Sequence, residues 1–119
     1  MNLKDKKILI TGATGSIGHS LVKKFYELDS IILATGTNVN KLDKLKEEFK
    51  NIKIKSFKLD QHSEIEKFID TCHLELGGID VLVNNAGITL DNLSIRLTDE
   101  NWKKVIDINL TSTFLMCKQ

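Results

Sequence analysis

Short apolar runs alternate along this chain with longer stretches whose apolar residues recur every three or four positions, and no other feature constrains the fold as tightly. A run such as Ile31 to Ala34 is too short and too uniformly apolar for an amphipathic helix, so it reads as a strand buried on both faces. Strands are expected at Lys7 to Thr11, Ile31 to Ala34, Ile52 to Phe57 and Ile79 to Val83. Between them the spacing predicts a helix with Ile17, Leu21, Phe25 and Leu28 on one face, and a second helix marked by Leu42, Leu45 and Phe49. A third carries Ile65, Phe68, Ile69, Cys72 and Leu76. Its start is predicted from the Ser-x-x-Glu capping box of Ser63 and Glu66, and its end from Gly77 and Gly78, which tolerate left-handed dihedrals. Thr98 caps a last helix containing Trp102, Val105, Ile106 and Phe114. Parallel strands need crossover connections, so this alternation predicts an α/β fold, a parallel sheet with helices on both faces. The last helix has no stop signal before Gln119, so the pattern reads as cut after the fourth strand and its following helix.

At 119 residues there is room for one domain, and 41% apolar with 28% charged side chains is the balance of a soluble globular chain. The longest apolar runs fall far short of the roughly 20 residues of a spanning helix. Lysine and arginine total 17 against 16 acidic side chains, a net charge of +1, which gives no electrostatic reason to expect nucleic acid or an anionic membrane. Arg96 is the sole arginine, so a bound phosphate must rest on backbone amides, hydroxyls or lysine. Cys72 and Cys117 lie far apart in a chain without a secretory apolar segment, which predicts reduced thiols and a cytoplasmic setting. His19, His62 and His73 show no metal-ligand spacing, and no metal is expected.

The first strand runs directly into Thr11-Gly12-Ala13-Thr14-Gly15-Ser16-Ile17-Gly18 and then into a helix, the context in which a glycine-rich turn binds a dinucleotide. Gly12 permits the tight turn, Gly15 lets a pyrophosphate approach the backbone, and Gly18 lets the helix pack close to the sheet. The anion would sit on the amides of the helix amino end. Asn84-Asn85-Ala86-Gly87 follows the fourth strand, at the same sheet edge. The expected cofactor-binding residues are therefore Gly12, Ala13, Thr14, Gly15, Ser16, Ile17, Gly18, Asn85, Ala86 and Gly87, in a Rossmann-type, doubly wound dinucleotide-binding domain over residues 1–119.

A carboxylate after the second strand would hold a ribose 2′-hydroxyl and select NAD. This chain has Gly36-Thr37-Asn38-Val39-Asn40-Lys41 there instead, a setting that tolerates a 2′-phosphate, so NADP(H) is favoured over NAD(H), with Thr37 as a contact. The same residue types would equally serve as turn and cap. Asp60 is the candidate for holding the adenine, with Lys58 as the alternative position. Asn109 shares a helix with Trp102, Val105 and Ile106, and a buried amide there needs a partner.

These residues resemble the short-chain dehydrogenase/reductase family, with its Thr-Gly-x-x-x-Gly-x-Gly turn and Asn-Asn-Ala-Gly motif, over the whole chain. The run Gly87-Ile88-Thr89, Asp91-Asn92-Leu93, Arg96, Trp102 and Val105 to Leu110 is most similar to the 3-oxoacyl-acyl-carrier-protein reductases of type II fatty acid synthesis. Ser16 stands where the family has its middle glycine, and Leu90 where those reductases often have a basic residue. The resemblance implies reduction of an acyl-carrier-protein thioester by NADPH, a homotetramer, and a supporting catalytic role for Asn109 in a proton relay. It also implies a tyrosine acid with a lysine four residues later and an upstream serine. The sole tyrosine is Tyr26, with Ser30 four residues on, so the 119 residues read as the cofactor-binding half of such an enzyme, inactive by themselves. The competing readings are a short non-catalytic dinucleotide-binding module and a family member acting on a different ketone or alcohol.

Overall fold

A computed structural model of the chain describes residues 2–58 and 61–85. The helix expected from Thr98 onward lies outside the described residues, as do Asp60, Ala86, Gly87 and Asn109. The elements run β1 (Lys7–Ile10), α1 (Ser16–Glu27), β2 (Ile31–Gly36), α2 (Val39–Glu48), β3 (Lys53–Ser56), a 3-10 turn (His62–Glu64), α3 (Ile65–Leu76) and β4 (Val81–Val83). Every strand pair is parallel and the sheet order is β3-β2-β1-β4. From β1 the chain steps outward through β2 to β3, then crosses back to place β4 on the other side of β1. This reversal opens a crevice at the carboxyl ends of β1 and β4, where open α/β sheets bind their ligands.

Alternation along each strand sends side chains to two cores. Ile8 and Ile10 of β1 and Ile32 and Ala34 of β2 pack with Val22 of α1 and Leu45 of α2. Leu9 and Leu33 face the other way, onto Ile65, Phe68, Ile69, Cys72 and Leu76 of α3. With helices on both sides, successive strand positions are all buried, which is why β2 appears in the sequence as a continuous apolar run. The fold is the expected Rossmann-type doubly wound sheet.

Three expectations need correction. The core face of α1 is the Ile17, Leu21, Phe25, Leu28 stripe only in part: Phe25 packs against the core and Leu21 is half-buried, but Ile17 is 68% and Leu28 39% exposed, whereas Gly18 and Val22 are buried. The helix sets Gly18 directly against the backbone of Gly12 and Ala13, and a residue with no side chain contributes nothing to an apolar pattern. Ser63 does not cap α3 either. It lies inside the 3-10 turn, and the local amides are satisfied by backbone bonds, Gln61 N–H to Lys58 O and Glu64 N–H to Gln61 O. The third correction concerns strand limits. β2 runs on to Gly36, whose neighbour in the register is Ser56 of β3, while β4 begins only at Val81. The other end of α3 is as expected: Gly77 at φ 75° is left-handed, and Gly78 N–H reaches His73 O at 2.9 Å. Lys7 Nζ donates to Gly77 O at 2.7 Å, tying this turn to β1.

Candidate functional site

Thr11 to Gly18, Thr37 and Asn85 all lie at the carboxyl edge of the sheet, following β1, β2 and β4. The glycine-rich turn is anchored from both neighbouring strands. Ala13 N–H donates to Thr35 O on β2 at 3.0 Å, and Thr35 Oγ1, itself buried, donates back to Ile10 O at 3.3 Å. On the β4 side, Thr11 N–H donates to Val83 O at 3.1 Å, and Thr11 Oγ1 accepts from Asn85 N–H at 3.1 Å. Asn85 Nδ2 donates to Gly12 O at 3.0 Å. Asn85, expected as a cofactor contact, thus holds the turn in place through its side chain. Thr11 was expected only as the first residue of the turn, and Thr35 was not singled out from the sequence, since the partners of a strand threonine are set by sheet order.

The three turn glycines carry different duties. Gly12 takes φ 63°, the left-handed region that favours glycine. A Cβ on Gly18 would lie 2.3 Å from Gly12 O and 2.7 Å from Ala13 Cα, so this glycine is required by the fold itself. A Cβ on Gly15 would meet only Gly12 O, at 3.8 Å. Among the described residues nothing demands glycine at 15, and the open space in front of it is the kind of cradle a pyrophosphate occupies.

Gly15 is the residue that precedes α1, and it offers no side-chain hydrogen bond to the helix. The first backbone bond of α1 is His19 N–H to Gly15 O at 2.8 Å, which leaves the amides of Ser16, Ile17 and Gly18 without helical partners. The positive end of the helix therefore faces the crevice uncapped among the described residues. α2 presents the opposite case. Asn38 Oδ1 accepts from Lys41 N–H at 3.0 Å, so that amino end is closed by its own cap, and the expected dual character of Asn38 resolves toward capping. Thr37 is exposed beside it, and a Cβ on Gly36 would stand 3.3 Å from Thr14 Cγ2, so the absence of a side chain at 36 makes room for Thr14. Lys58, the alternative for the adenine, is exposed just after β3.

Next to the turn, a cleft between α1 and α2 is lined by Ala13, Thr14, His19, Lys41, Lys44, Leu45 and Glu48. His19 Nε2 lies 2.8 Å from Glu48 Oε2, a contact between residues too far apart in the sequence for any spacing rule to find. Cys72, by contrast, has no place in the chemistry: burial, with Glu75 adding to it, pushes its thiol up from 9.0 to about 12, which keeps it protonated and unreactive. No helix among the described residues is long and apolar enough to cross a membrane.

A glycine-rich turn, a helix amino end without a side-chain cap and a bracing asparagine stand together at the switch point of a parallel sheet. The sequence profile of the short chain dehydrogenase family matches residues 6–119. The chain belongs to this family. Nodulation protein G of Rhizobium sp. (strain N33) is 35% identical over 118 residues, covering 98% of this chain and 48% of that protein. The 3-oxoacyl-[acyl-carrier-protein] reductase of Vibrio harveyi is 36% identical over 119 residues, 99% of this chain and 49% of the reductase. Among solved structures, the 3-ketoacyl-(acyl-carrier-protein) reductase of Brucella melitensis complexed with NADH superposes with a TM-score of 0.90 at 20% identity, over 98% of this chain and 48% of that one. The chain thus spans about half the length of the short-chain dehydrogenases it matches.

Proposed function

We propose that this chain is the cofactor-binding portion of an NADP(H)-dependent reductase that converts 3-oxoacyl-[acyl-carrier-protein] thioesters to the 3-hydroxyacyl products. The observation that carries the reading is the uncapped amino end of α1 behind an open Gly15, at the switch point of the sheet. There the amides of Ser16, Ile17 and Gly18 donate to the pyrophosphate, while Asn85 fixes the carbonyl of Gly12 and with it the shape of the turn. Ala86 and Gly87, next in the sequence, are further expected cofactor contacts, and Asp60 or Lys58 is the candidate for the adenine. Thr37, exposed and with no carboxylate in the Gly36 to Lys41 segment, leaves the ribose 2′ position open to a phosphate. The bound dinucleotide supplies the hydride; Asn109 supports the proton relay to the ketone oxygen. The acyl-carrier-protein substrate is favoured by the 36% identity to the Vibrio harveyi reductase, and a homotetramer and a cytoplasmic setting go with that reading.

Gly15→Asp tests the site without endangering the fold. The backbone there, φ −77° and ψ 174°, suits any residue, and aspartate is a good helix cap, so stability should equal or slightly exceed that of the parent. The carboxylate would occupy the anion position, and like-charge repulsion should weaken calorimetric NADPH binding at least about tenfold. Equal NADPH affinity in parent and variant would place the dinucleotide elsewhere.

A further inference from the structure

The glycine-rich turn carries three hydroxyl side chains, Thr11, Thr14 and Ser16, and the fold engages the first two elsewhere. Thr11 Oγ1 is taken up on the β4 side, donating to Val83 O at 3.4 Å and accepting from Asn85 N–H at 3.1 Å. Thr14 lies toward the end of β2, where a Cβ on Gly36 would stand 3.3 Å from its Cγ2 and 3.4 Å from its Oγ1. Ser16 differs from both. It is exposed as the first residue of α1, and among the described residues its hydroxyl has no hydrogen-bond partner, while its carbonyl accepts from Ser20 Oγ at 3.1 Å. Because Cα–Cβ bonds in a helix tilt toward the amino end, the side chain of Ser16 leans to the side on which the amides of residues 16 to 18 are unpaired. Ser16 is also a departure, standing where the family has its middle glycine.

Resting on the dinucleotide reading above, we propose that Ser16 is a diphosphate-binding residue, whose Oγ–H donates to a phosphate oxygen and so adds a contact that glycine at this position cannot make. A side chain here can either obstruct the anion or bind it, and the space in the turn decides. The open approach is over Gly15, where a Cβ would meet only Gly12 O at 3.8 Å among the described residues, so the side chain at 16 borders the path and does not fill it. The sole arginine of the chain, Arg96, is far from the turn in sequence, which leaves a diphosphate to amides, hydroxyls and lysine. Ser16 supplies the hydroxyl. An O–H donating to a charged oxygen is stronger than a neutral pair, but an exposed one replaces a water, so its contribution is modest. The contact is also indifferent to the ribose 2′ position, because phosphorylated and unphosphorylated dinucleotides share the same diphosphate.

Calorimetric titration of the chain with NADP⁺, NAD⁺ and ADP-ribose tests this. Ser16→Ala should weaken all three about three- to tenfold, the range of one exposed hydrogen bond to a charged group, and by factors that agree within about twofold. Ser16→Thr keeps the hydroxyl and should bind each ligand within about twofold of the parent. Ser16→Gly, which restores the residue of the family, should bind more weakly than the parent, as the alanine variant does. Alanine is a better helix former than serine, so thermal melting by circular dichroism should show Ser16→Ala folded and no less stable, which separates a lost contact from a lost fold. Tighter binding by Ser16→Gly than by the parent would show that the side chain obstructs the anion and would overturn the proposal. So would equal affinities of Ser16→Ala and parent, or a loss confined to NADP⁺, which would put the hydroxyl at the 2′-phosphate. Failure of the parent to bind any of the three ligands overturns the dinucleotide reading itself, a result distinct from unaltered binding by the Ser16 variants.

Discussion

Replacing Gly18 with alanine adds one methyl group where α1 lies directly against the backbone of the glycine-rich turn. The new carbon would sit 2.3 Å from Gly12 O, 2.7 Å from Ala13 Cα and 2.8 Å from the Ala13 carbonyl carbon, all backbone atoms. None of them can move away cheaply. Ala13 is fully buried and its N–H is bonded to Thr35 O, while Gly12 O accepts from Asn85 Nδ2. Relief must therefore come from the helix, whose first turn would have to retreat by about 1 Å to reach ordinary contact distance. Overpacking of this kind costs about 1–3 kcal/mol, and rigid backbone obstruction puts it at the upper end. Against this stands a gain of about 1 kcal/mol from the better helix propensity of alanine. The expected net loss is about 2 kcal/mol, which in a domain of this size lowers the melting temperature by roughly 8 °C. Gly15→Ala is the control: among the described residues its methyl would meet only Gly12 O at 3.8 Å, so stability should stay within about 0.5 kcal/mol of the parent. Urea unfolding followed by far-ultraviolet circular dichroism measures both. A parental midpoint for Gly18→Ala, or equal damage from the two substitutions, would refute the division of labour between these glycines.

Asn85→Ala removes the bond to Gly12 O and should cost about 1 kcal/mol in urea unfolding, with a further loss of NADPH affinity because the turn is no longer held; unaltered calorimetric affinity would show that the brace is dispensable. For Cys72 the fold favours the protonated thiol, so between the ordinary value of 9.0 and about 12 the unfolded chain loses its proton first and stability falls as pH rises. Urea midpoints measured across that interval should decline less steeply in Cys72→Ala than in the parent, and parallel declines would count against the burial argument. The 119 residues alone should show no NADPH oxidation with an acetoacetyl thioester, since Tyr26 packs on Phe49 at 5.1 Å near the carboxyl end of α1, at the sheet edge opposite the crevice. Spectrophotometric turnover by the chain would reveal an acid other than tyrosine.

Element types and the edge of the sheet that binds ligand were legible in the sequence because they depend on local periodicity and on the handedness of crossovers. Ile31 to Ala34 could only be a doubly covered strand, and Gly12 to Gly18 following a strand could only be a tight turn into a helix. Gly77 announced its left-handed turn for the same reason, since the requirement lies in the residue itself. The face of α1 was legible only in part, with Phe25 packing on the core as its stripe predicts. Its orientation is decided by how near Gly18 approaches Gly12, a contact made by an absent side chain, so the apolar stripe pointed to Ile17 and Leu28, which are exposed. The bonds that hold the site were hidden for another reason. Asn85 to Gly12, Ala13 to Thr35 and His19 to Glu48 join separate segments through the strand order β3-β2-β1-β4, and only the folded sheet sets those partners side by side. Hydrogen bonds and ion pairs act over a few ångströms in space, whereas a sequence pattern records only distance along the chain.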